Sequence, residues 1–184
     1  MGVTTPHVSP VLRGLPNALT LARFAAIPVF VWLLWRDVDG PSWPAGIAFG
    51  LAAVTDQVDG WLARRWRVES AFGKVADPLA DRLMIDTAVV LLVIWERLPW
   101  IALAILVRDL VLLVGYRFAT PRGVQFNVSW LGKTATWGLY ASLGGVLVTA
   151  RDAAWPLALF WVSLALAVIA AGGYVRSARR ARHR

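Results

Sequence analysis

Residues 155–175 read WPLALFWVSLALAVIAAGGYV, a run without a single charged side chain. About 20 mostly apolar residues carry a helix across the hydrocarbon core of a bilayer, so this stretch predicts a membrane-spanning helix. The whole chain agrees, with 58% hydrophobic residues, 16% charged residues and a mean hydropathy of +0.60. Soluble domains carry about 25% charged residues. The composition therefore argues against a soluble globular enzyme, and it excludes a disordered chain.

Five further apolar stretches precede this one. They occupy approximately residues 18–36, 43–63, 78–96, 99–118 and 131–150. The six stretches predict an all-α polytopic membrane protein with six transmembrane helices, forming a single domain over residues 1–184. Several tryptophans lie near the predicted ends of these spans, as in interfacial aromatic belts, although ordinary core packing would also account for them. Examples are Trp43, Trp100, Trp130 and Trp155.

The basic residues orient the predicted bundle. Of the 19 basic residues, all but Arg36, Arg97 and Arg151 fall in four segments: the N-terminal segment, the loops around 64–82 and 108–133, and the C-terminal tail. The positive-inside rule then places both termini in the cytoplasm, and we expect an integral protein of the cytoplasmic membrane. The net charge of +8 suggests anionic lipid headgroups as a partner, and no nucleic acid. The N-terminal apolar run is too long for a cleavable signal peptide.

Four aspartates cluster around one predicted cytoplasmic loop. Residues 56–64 read DQVDGWLAR and residues 73–81 read GKVADPLAD. Asp56 and Asp59 are three positions apart, and Asp77 and Asp81 are four apart, so each pair shares one face of a helix. The two pairs lie at the same end of consecutive antiparallel spans. We therefore expect four carboxylates to converge.

Converging carboxylates repel one another strongly in a medium of low dielectric constant, so protons or cations must neutralise them. Hard divalent cations such as Mg²⁺, Mn²⁺ or Ca²⁺ prefer oxygen ligands. Zinc is disfavoured, because the chain has no cysteine and no histidine near these positions. Two metals held by carboxylates stabilise attack and departure at a phosphorus centre.

Small residues accompany the acids. Gly60, Ala63 and Gly73 allow close helix packing or close approach of a ligand to the backbone, and Arg64 can pair with a phosphate. Each feature also has a structural explanation: a helix cap at Asp77, an ion pair at Arg64, or a packing seam of small residues. Their occurrence together at fixed offsets favours a functional site.

The pattern D-x2-D-G-x2-A-R-x8-G-x3-D-x3-D resembles the signature of the CDP-alcohol phosphatidyltransferase family, with every defined position filled. Residues 16–23, PNALTLAR, are similar to the P-N-x-L-T-x-x-R element before the first helix of many bacterial members. The resemblance covers the whole chain. It implies six transmembrane helices, an active site facing the cytoplasm and a homodimer.

The resemblance also implies a reaction, the transfer of a phosphatidyl group from CDP-diacylglycerol to an alcohol with release of CMP. Two divalent cations, Mg²⁺ or Mn²⁺, would be held by Asp56, Asp59, Asp77 and Asp81. Asp81 would also be the general base. The CDP moiety would contact Asn17, Gly60, Ala63, Arg64, Ser70 and Gly73. Asn17 has an equally good interpretation as a helix N-cap.

The signature does not choose the acceptor alcohol, which could be glycerol 3-phosphate, phosphatidylglycerol, inositol phosphate, serine or a choline-type alcohol. Arg108-Asp109 resembles the Arg-Asp of members that make cardiolipin, whereas members that make phosphatidylglycerophosphate tend to have Arg-Glu. Residues 128–136, VSWLGKTAT, are similar to a shared V-S-x-x-G-K-x-x-T element, but Trp130 stands where a lysine is frequent. One basic residue fewer favours phosphatidylglycerol over glycerol 3-phosphate as the acceptor.

Arg108 and Lys133 are the first candidates for binding the phosphate of the acceptor, followed by Arg117 and Arg122. Cytoplasmic loops are basic in any case, which is the alternative explanation of these residues. Arg108-Asp109 and Asp86 are also candidates for buried ion pairs. A divalent-metal transporter is the competing class, but transporters tend to show internal repeats and a site near the midplane of the membrane.

Overall fold

The computed structural model describes the backbone of residues 10–66, 73–119 and 130–182, and the side chains of 18, 21–55, 58, 82–111 and 130–173. These ranges are helical and contain no β-strand, which confirms the all-α prediction. The helices are α1 (Pro10–Arg36), α2 (Trp43–Trp66), α3 (Gly73–Ile94), α4 (Ala104–Ala119), α5 (Trp130–Val148) and α6 (Ala154–Arg182), with a 3₁₀ turn at Trp100–Leu103 before α4.

Each predicted span overlaps one helix, but the helices extend beyond the apolar stretches. α1 begins at Pro10 instead of residue 18, and α3 begins at Gly73 instead of residue 78. Hydropathy marks only the part of a helix that suits hydrocarbon, whereas backbone hydrogen bonding continues into polar residues at either end. As a consequence Gly73 and Asp77 belong to α3 itself.

One helix in the described part of the chain is long and apolar enough to cross a membrane by itself, Ala154–Gly173, with a mean hydropathy of 2.1. It corresponds to the predicted span 155–175. A shorter apolar helical stretch lies at Trp43–Thr55. Six spans with cytoplasmic termini stay a prediction.

The core lies between α1, α2, α3 and α5, with α6 packed along α5. Phe49 of α2 contacts Phe30 of α1 and Tyr140 of α5, with ring centroids 5.7 and 5.4 Å apart. α5 and α6 meet at a glycine, because a Cβ added at Gly138 would lie 2.1 Å from Ser163 Oγ. The small residue lets the two helix backbones approach closely.

Local signals explain where α2 begins. Ser42 Oγ accepts a hydrogen bond from the Ala45 amide at 3.4 Å, which is the N-cap arrangement, and Pro44 lies in the first turn. The Ser42 hydroxyl donates to Asp37 Oδ2 at 2.8 Å, and its amide donates to the Leu147 carbonyl at 2.7 Å. The start of α2 is therefore attached to the end of α5.

The end of α3 is a Schellman motif. The Arg97 amide donates to the Leu92 carbonyl at 2.8 Å, and the Glu96 amide donates to the Val93 carbonyl at 3.1 Å. Glu96 has a φ of 56°, the left-handed conformation that glycine usually adopts at this position. The motif reverses the chain directly before Arg97.

Arg97 joins three loops at one end of the bundle. Its side chain donates to the carbonyls of Gly40 at 3.0 Å, Thr149 at 2.7 Å and Val146. Burial, and to a lesser extent the charge of Arg151, lower the pKa of this guanidinium. The loops between α1 and α2, α3 and α4, and α5 and α6 thus meet at one end, which we call the Arg97 end.

Candidate active site

The four aspartates lie toward the end of the bundle opposite Arg97, which we call the aspartate end. Asp56 and Asp59 occupy the C-terminal half of α2, and Asp77 and Asp81 the N-terminal half of α3. Residues 67–72 join these two helix ends directly. Both pairs thus belong to the adjoining ends of two consecutive helices, and the convergence of their four carboxylates stays a prediction. Their side chains lie outside the described residues.

Most of the residues predicted to contact CDP belong to the same helices as the aspartates. Gly60, Ala63 and Arg64 belong to α2, Gly73 is the first residue of α3, and Asn17 belongs to α1. Ser70 lies outside the described residues. Asn17 is near the N-terminal end of α1, which also lies at the aspartate end, because α1 runs from there to the loop that contacts Arg97.

The donor chemistry of the four aspartates fits a divalent metal centre. Carboxylates at i, i+3 and i, i+4 spacing offer hard oxygen ligands from two neighbouring helices. Among the described side chains there is no group of three or more acidic, histidine or cysteine residues that could bind a metal ion. The side chains of Asp56, Asp59, Asp77 and Asp81 lie outside that set, and these residues stay the predicted ligands.

An ionic cluster links α3 to α4 close to these residues. Arg82 Nη1 donates to the Asp109 backbone carbonyl at 2.8 Å and to Asp109 Oδ1 at 3.4 Å. Arg108 donates to the same Oδ1. The Asp109 side chain is 6% exposed and that of Arg108 is 16% exposed. One carboxylate thus lies between two guanidinium groups that come from different helices.

The structure confirms the predicted ion pair of Arg108 with Asp109 and adds Arg82, which the sequence reasoning missed. A positive charge directly after Asp81, at the start of an apolar run, was the available signal. Asp86 Oδ1 is buried and has no hydrogen-bond partner among the described residues, although Asp109, Arg82 and Arg108 are its electrostatic neighbours. Asp86 therefore interacts electrostatically with this cluster, without a hydrogen bond from Oδ1 to a described residue.

Lys133 is in a more open environment at the start of α5. Its ammonium group lies 5.3 Å from the ring centroid of Trp130, within the range of a cation–π contact. Trp130 is 82% exposed. Of the weaker candidates, Arg117 belongs to α4 with its side chain outside the described residues, and Arg122 is wholly outside them.

The described structure defines a class, an apolar all-helical protein with two pairs of aspartates in consecutive helices. The family model of the CDP-alcohol phosphatidyltransferases matches residues 13–169, and the chain belongs to that family. The matched segment contains every candidate residue discussed above. The resemblance predicted from the signature is confirmed, and membership favours an enzyme over a metal transporter.

Curated relatives carry two different names. The chain is 36% identical to "Cardiolipin synthase (CMP-forming)" of Streptomyces coelicolor, covering 89% of this chain and 85% of that protein. It is 32% identical to "CDP-diacylglycerol--glycerol-3-phosphate 3-phosphatidyltransferase" of Escherichia coli K12, covering 90% of this chain and 95% of that protein. A protein of Shigella flexneri with the latter name matches with the same figures.

Proposed function

We propose that this chain transfers a phosphatidyl group from CDP-diacylglycerol to the hydroxyl of phosphatidylglycerol, forming cardiolipin and CMP. The observation that carries the proposal is the complete family signature, whose defined positions belong to α2 and α3. Membership of the family supports the reaction class.

The four aspartates would hold two divalent cations, Mg²⁺ or Mn²⁺. Cations bound there would neutralise the charge of the pyrophosphate and of the departing phosphate. Asp56, Asp59 and Asp77 supply ligands, and Asp81 both completes the site and acts on the acceptor. Gly60, Ala63, Gly73 and Arg64 bind the CDP moiety, together with Asn17 and Ser70. Without bound cations, the carboxylates would repel the substrate phosphates.

The chemical step is an in-line displacement at phosphorus. Asp81 takes the proton of the acceptor hydroxyl, and the oxygen forms a bond to the β-phosphorus of CDP-diacylglycerol. The bond from that phosphorus to the bridging oxygen of the pyrophosphate breaks, and CMP leaves with the electron pair. Positioning of the two substrates accounts for much of the rate enhancement in reactions of this kind.

The bilayer is the proposed environment of all six helices, with both termini and the aspartate end in the cytoplasm. Helices of 16 to 29 residues are about 24 to 43 Å long, compared with a hydrocarbon core of about 30 Å. Large apolar side chains are exposed along the helices, as a lipid-facing surface requires. They include Val29, Trp32, Ile47, Leu51, Val54, Val107, Leu110, Val162 and Ile169. A homodimer in the membrane is part of the same proposal.

Phosphatidylglycerol is favoured as the acceptor by two features. The first is the Arg108-Asp109 pair. The second is Trp130, an exposed aromatic residue that suits the membrane interface and replaces a cation that a small, doubly charged acceptor would use. Arg108 and Lys133 are the proposed ligands of the acceptor phosphate.

Glycerol 3-phosphate is the second candidate acceptor. The relative from Escherichia coli, aligned over 95% of its length, bears the name of an enzyme for that acceptor. The relatives named above therefore do not choose between the two alcohols.

An acceptor panel tests the proposal. Purified protein in mixed lipid–detergent micelles receives labelled CDP-diacylglycerol with Mg²⁺ or Mn²⁺, and each alcohol is offered separately. We expect the wild type to release CMP and form cardiolipin when phosphatidylglycerol is the acceptor, and with no other alcohol. In the Asp81→Asn protein, CMP release should be slower by ~10²–10⁴-fold. A product with glycerol 3-phosphate would move the assignment to the second candidate. No CMP with any alcohol and either metal would contradict the enzyme reading.

A further inference from the structure

The charged cluster between α3 and α4 has a feature that an ordinary ion pair lacks. Asp109 contacts two arginines that are connected to different parts of the proposed reaction. Arg82 directly follows the proposed base Asp81, and Arg108 is itself a proposed ligand of the acceptor. A single buried carboxylate therefore joins the metal-binding helix to the acceptor-binding helix.

Arg82 is attached to α4 in two ways. It donates to the backbone carbonyl of Asp109 at 2.8 Å and to its carboxylate at 3.4 Å. The shorter contact is to the main chain, so it survives any change of the side chain at 109. A substitution at 109 should therefore leave the register of α3, and with it the position of Asp81, largely intact.

Arg108 depends on the Asp109 side chain. The residues are adjacent in α4, so the long Arg108 side chain must fold back to reach Oδ1. Among the described residues, Arg108 donates one hydrogen bond, and its buried Nε has no partner. A guanidinium carries five N–H donors, and the contact of Nη1 with Asp109 leaves the other donors of Arg108 without a partner among the described residues.

Arg97 provides the contrast. It donates to three backbone carbonyls, at Gly40, Val146 and Thr149, and thereby connects loops. Arg97 thus uses its donors on backbone carbonyls, whereas Arg108 is held at one carboxylate oxygen among the described residues. The remaining Arg108 donors suit the oxygens of a phosphate, which is the group that both candidate acceptors share.

We propose that Asp109 is a positioning residue that orients the Arg108 guanidinium toward the phosphate of the acceptor. This inference rests on the proposed function. Hydrogen-bond partners set the orientation of metal-ligating side chains, and their loss typically lowers metal affinity or activity about 10- to 100-fold. We expect an effect of similar size for the carboxylate that orients Arg108. The effect belongs to the acceptor side of the reaction and leaves the CDP-diacylglycerol side unchanged.

The test is the steady-state kinetics of Asp109→Asn, with Asp86→Asn as the matched control. Asp109→Asn should raise the KM of the acceptor at least ~10-fold, with the KM of CDP-diacylglycerol and the metal requirement unchanged. Asp86→Asn also removes a carboxylate from this cluster. Because Asp86 Oδ1 has no hydrogen bond to either arginine among the described residues, this variant should not raise the acceptor KM. The proposal would be overturned if the acceptor KM rose equally in the two variants. It would also be overturned if Asp109→Asn raised the KM of CDP-diacylglycerol together with that of the acceptor.

A double-mutant cycle tests whether Asp109 acts through Arg108. If it does, Asp109→Asn adds nothing to the acceptor KM of Arg108→Gln, because the side chain being oriented is already gone. Additive effects contradict the proposal. Should Asp109→Asn fail to fold, Asp109→Glu displaces the carboxylate by one methylene and must raise the acceptor KM selectively; a wild-type acceptor KM refutes the role.

The wild-type protein separates the two levels of inference. CMP release with unchanged acceptor kinetics in the Asp109 variants would overturn the positioning role alone. Wild-type protein that releases no CMP with any acceptor would instead contradict the proposed function, and the role of Asp109 would fail with it.

Discussion

Replacement of Arg97 by methionine should destabilise the protein without reaching the active site. The substitution keeps an unbranched apolar stem of similar reach and removes the guanidinium. Three backbone carbonyls then lose a donor, at Gly40, Val146 and Thr149. Because Arg97 is 8% exposed, water does not readily replace those contacts.

The size of the effect follows from these contacts. Hydrogen bonds from charged groups contribute about 1.5–3 kcal/mol each, so three of them set an upper range of about 4.5–9 kcal/mol. The variant does not bury a cation, and the absence of this desolvation penalty offsets several kcal/mol of the loss. We therefore expect a net loss of about 3 kcal/mol. For a chain of this size, 1 kcal/mol lowers the Tm by about 2–4 °C, so the expected shift is ~6–12 °C.

Thermal unfolding in one fixed detergent, followed by tryptophan fluorescence, measures this shift. Arg151→Gln is the control, since the exposed Arg151 makes one long hydrogen bond of 3.3 Å to the Val38 carbonyl, and its loss should cost less than ~0.5 kcal/mol. CMP release by Arg97→Met at a temperature well below its Tm should equal that of the wild type. A Tm unchanged from the wild type would refute the assignment of Arg97 as the connector of the three loops.

Three further predictions concern Glu96, Gly138 and Asp81, the first two with an alanine variant as the control. Glu96→Gly should raise the free energy of unfolding by ~0.5–1 kcal/mol, because it removes the left-handed strain at φ 56°, whereas Glu96→Ala should give no such gain in the same melt. Gly138→Ala should lower stability by ~1–3 kcal/mol, since its Cβ would lie 2.1 Å from Ser163 Oγ. Gly144→Ala, with nothing within 4 Å, should be neutral or stabilising, and equal melting temperatures of the two alanine variants would contradict the close approach of α5 and α6. Asp81→Asn should reduce kcat by ~10²–10⁴-fold while titrations with Mn²⁺ and CDP still report binding, and near wild-type turnover would exclude Asp81 as the base.

The catalytic signature could be read without any structure. A metal centre of carboxylates needs particular residue types at particular offsets, and helical periodicity converts those offsets into shared faces. The apolar stretches likewise predicted every described α-helix, since hydrophobic length is a property of consecutive residues. The helix ends were less predictable, because α1 and α3 continue into polar residues that hydropathy does not register.

The role of an individual arginine could not be read in this way. Arg97 directly follows the predicted span 78–96 and Arg108 lies within the predicted span 99–118, but neither position shows which groups the guanidinium contacts. The structure distinguishes them by their partners: three backbone carbonyls for Arg97 and one carboxylate for Arg108. The partners of Arg97 lie far away along the chain, in two loops and in α5, whereas the partner of Arg108 is the neighbouring residue.

The sequence by itself thus determined the helical class, the family and the candidate metal ligands, because each of these depends on residues close together along the chain. Only the tertiary structure brought Arg82 to Asp109, 27 positions away, and Arg97 to Thr149, 52 positions away. The physical reason is that a buried charge takes whichever partner the packed helices place beside it. Packing is decided by the fit of whole helix surfaces and not by local spacing.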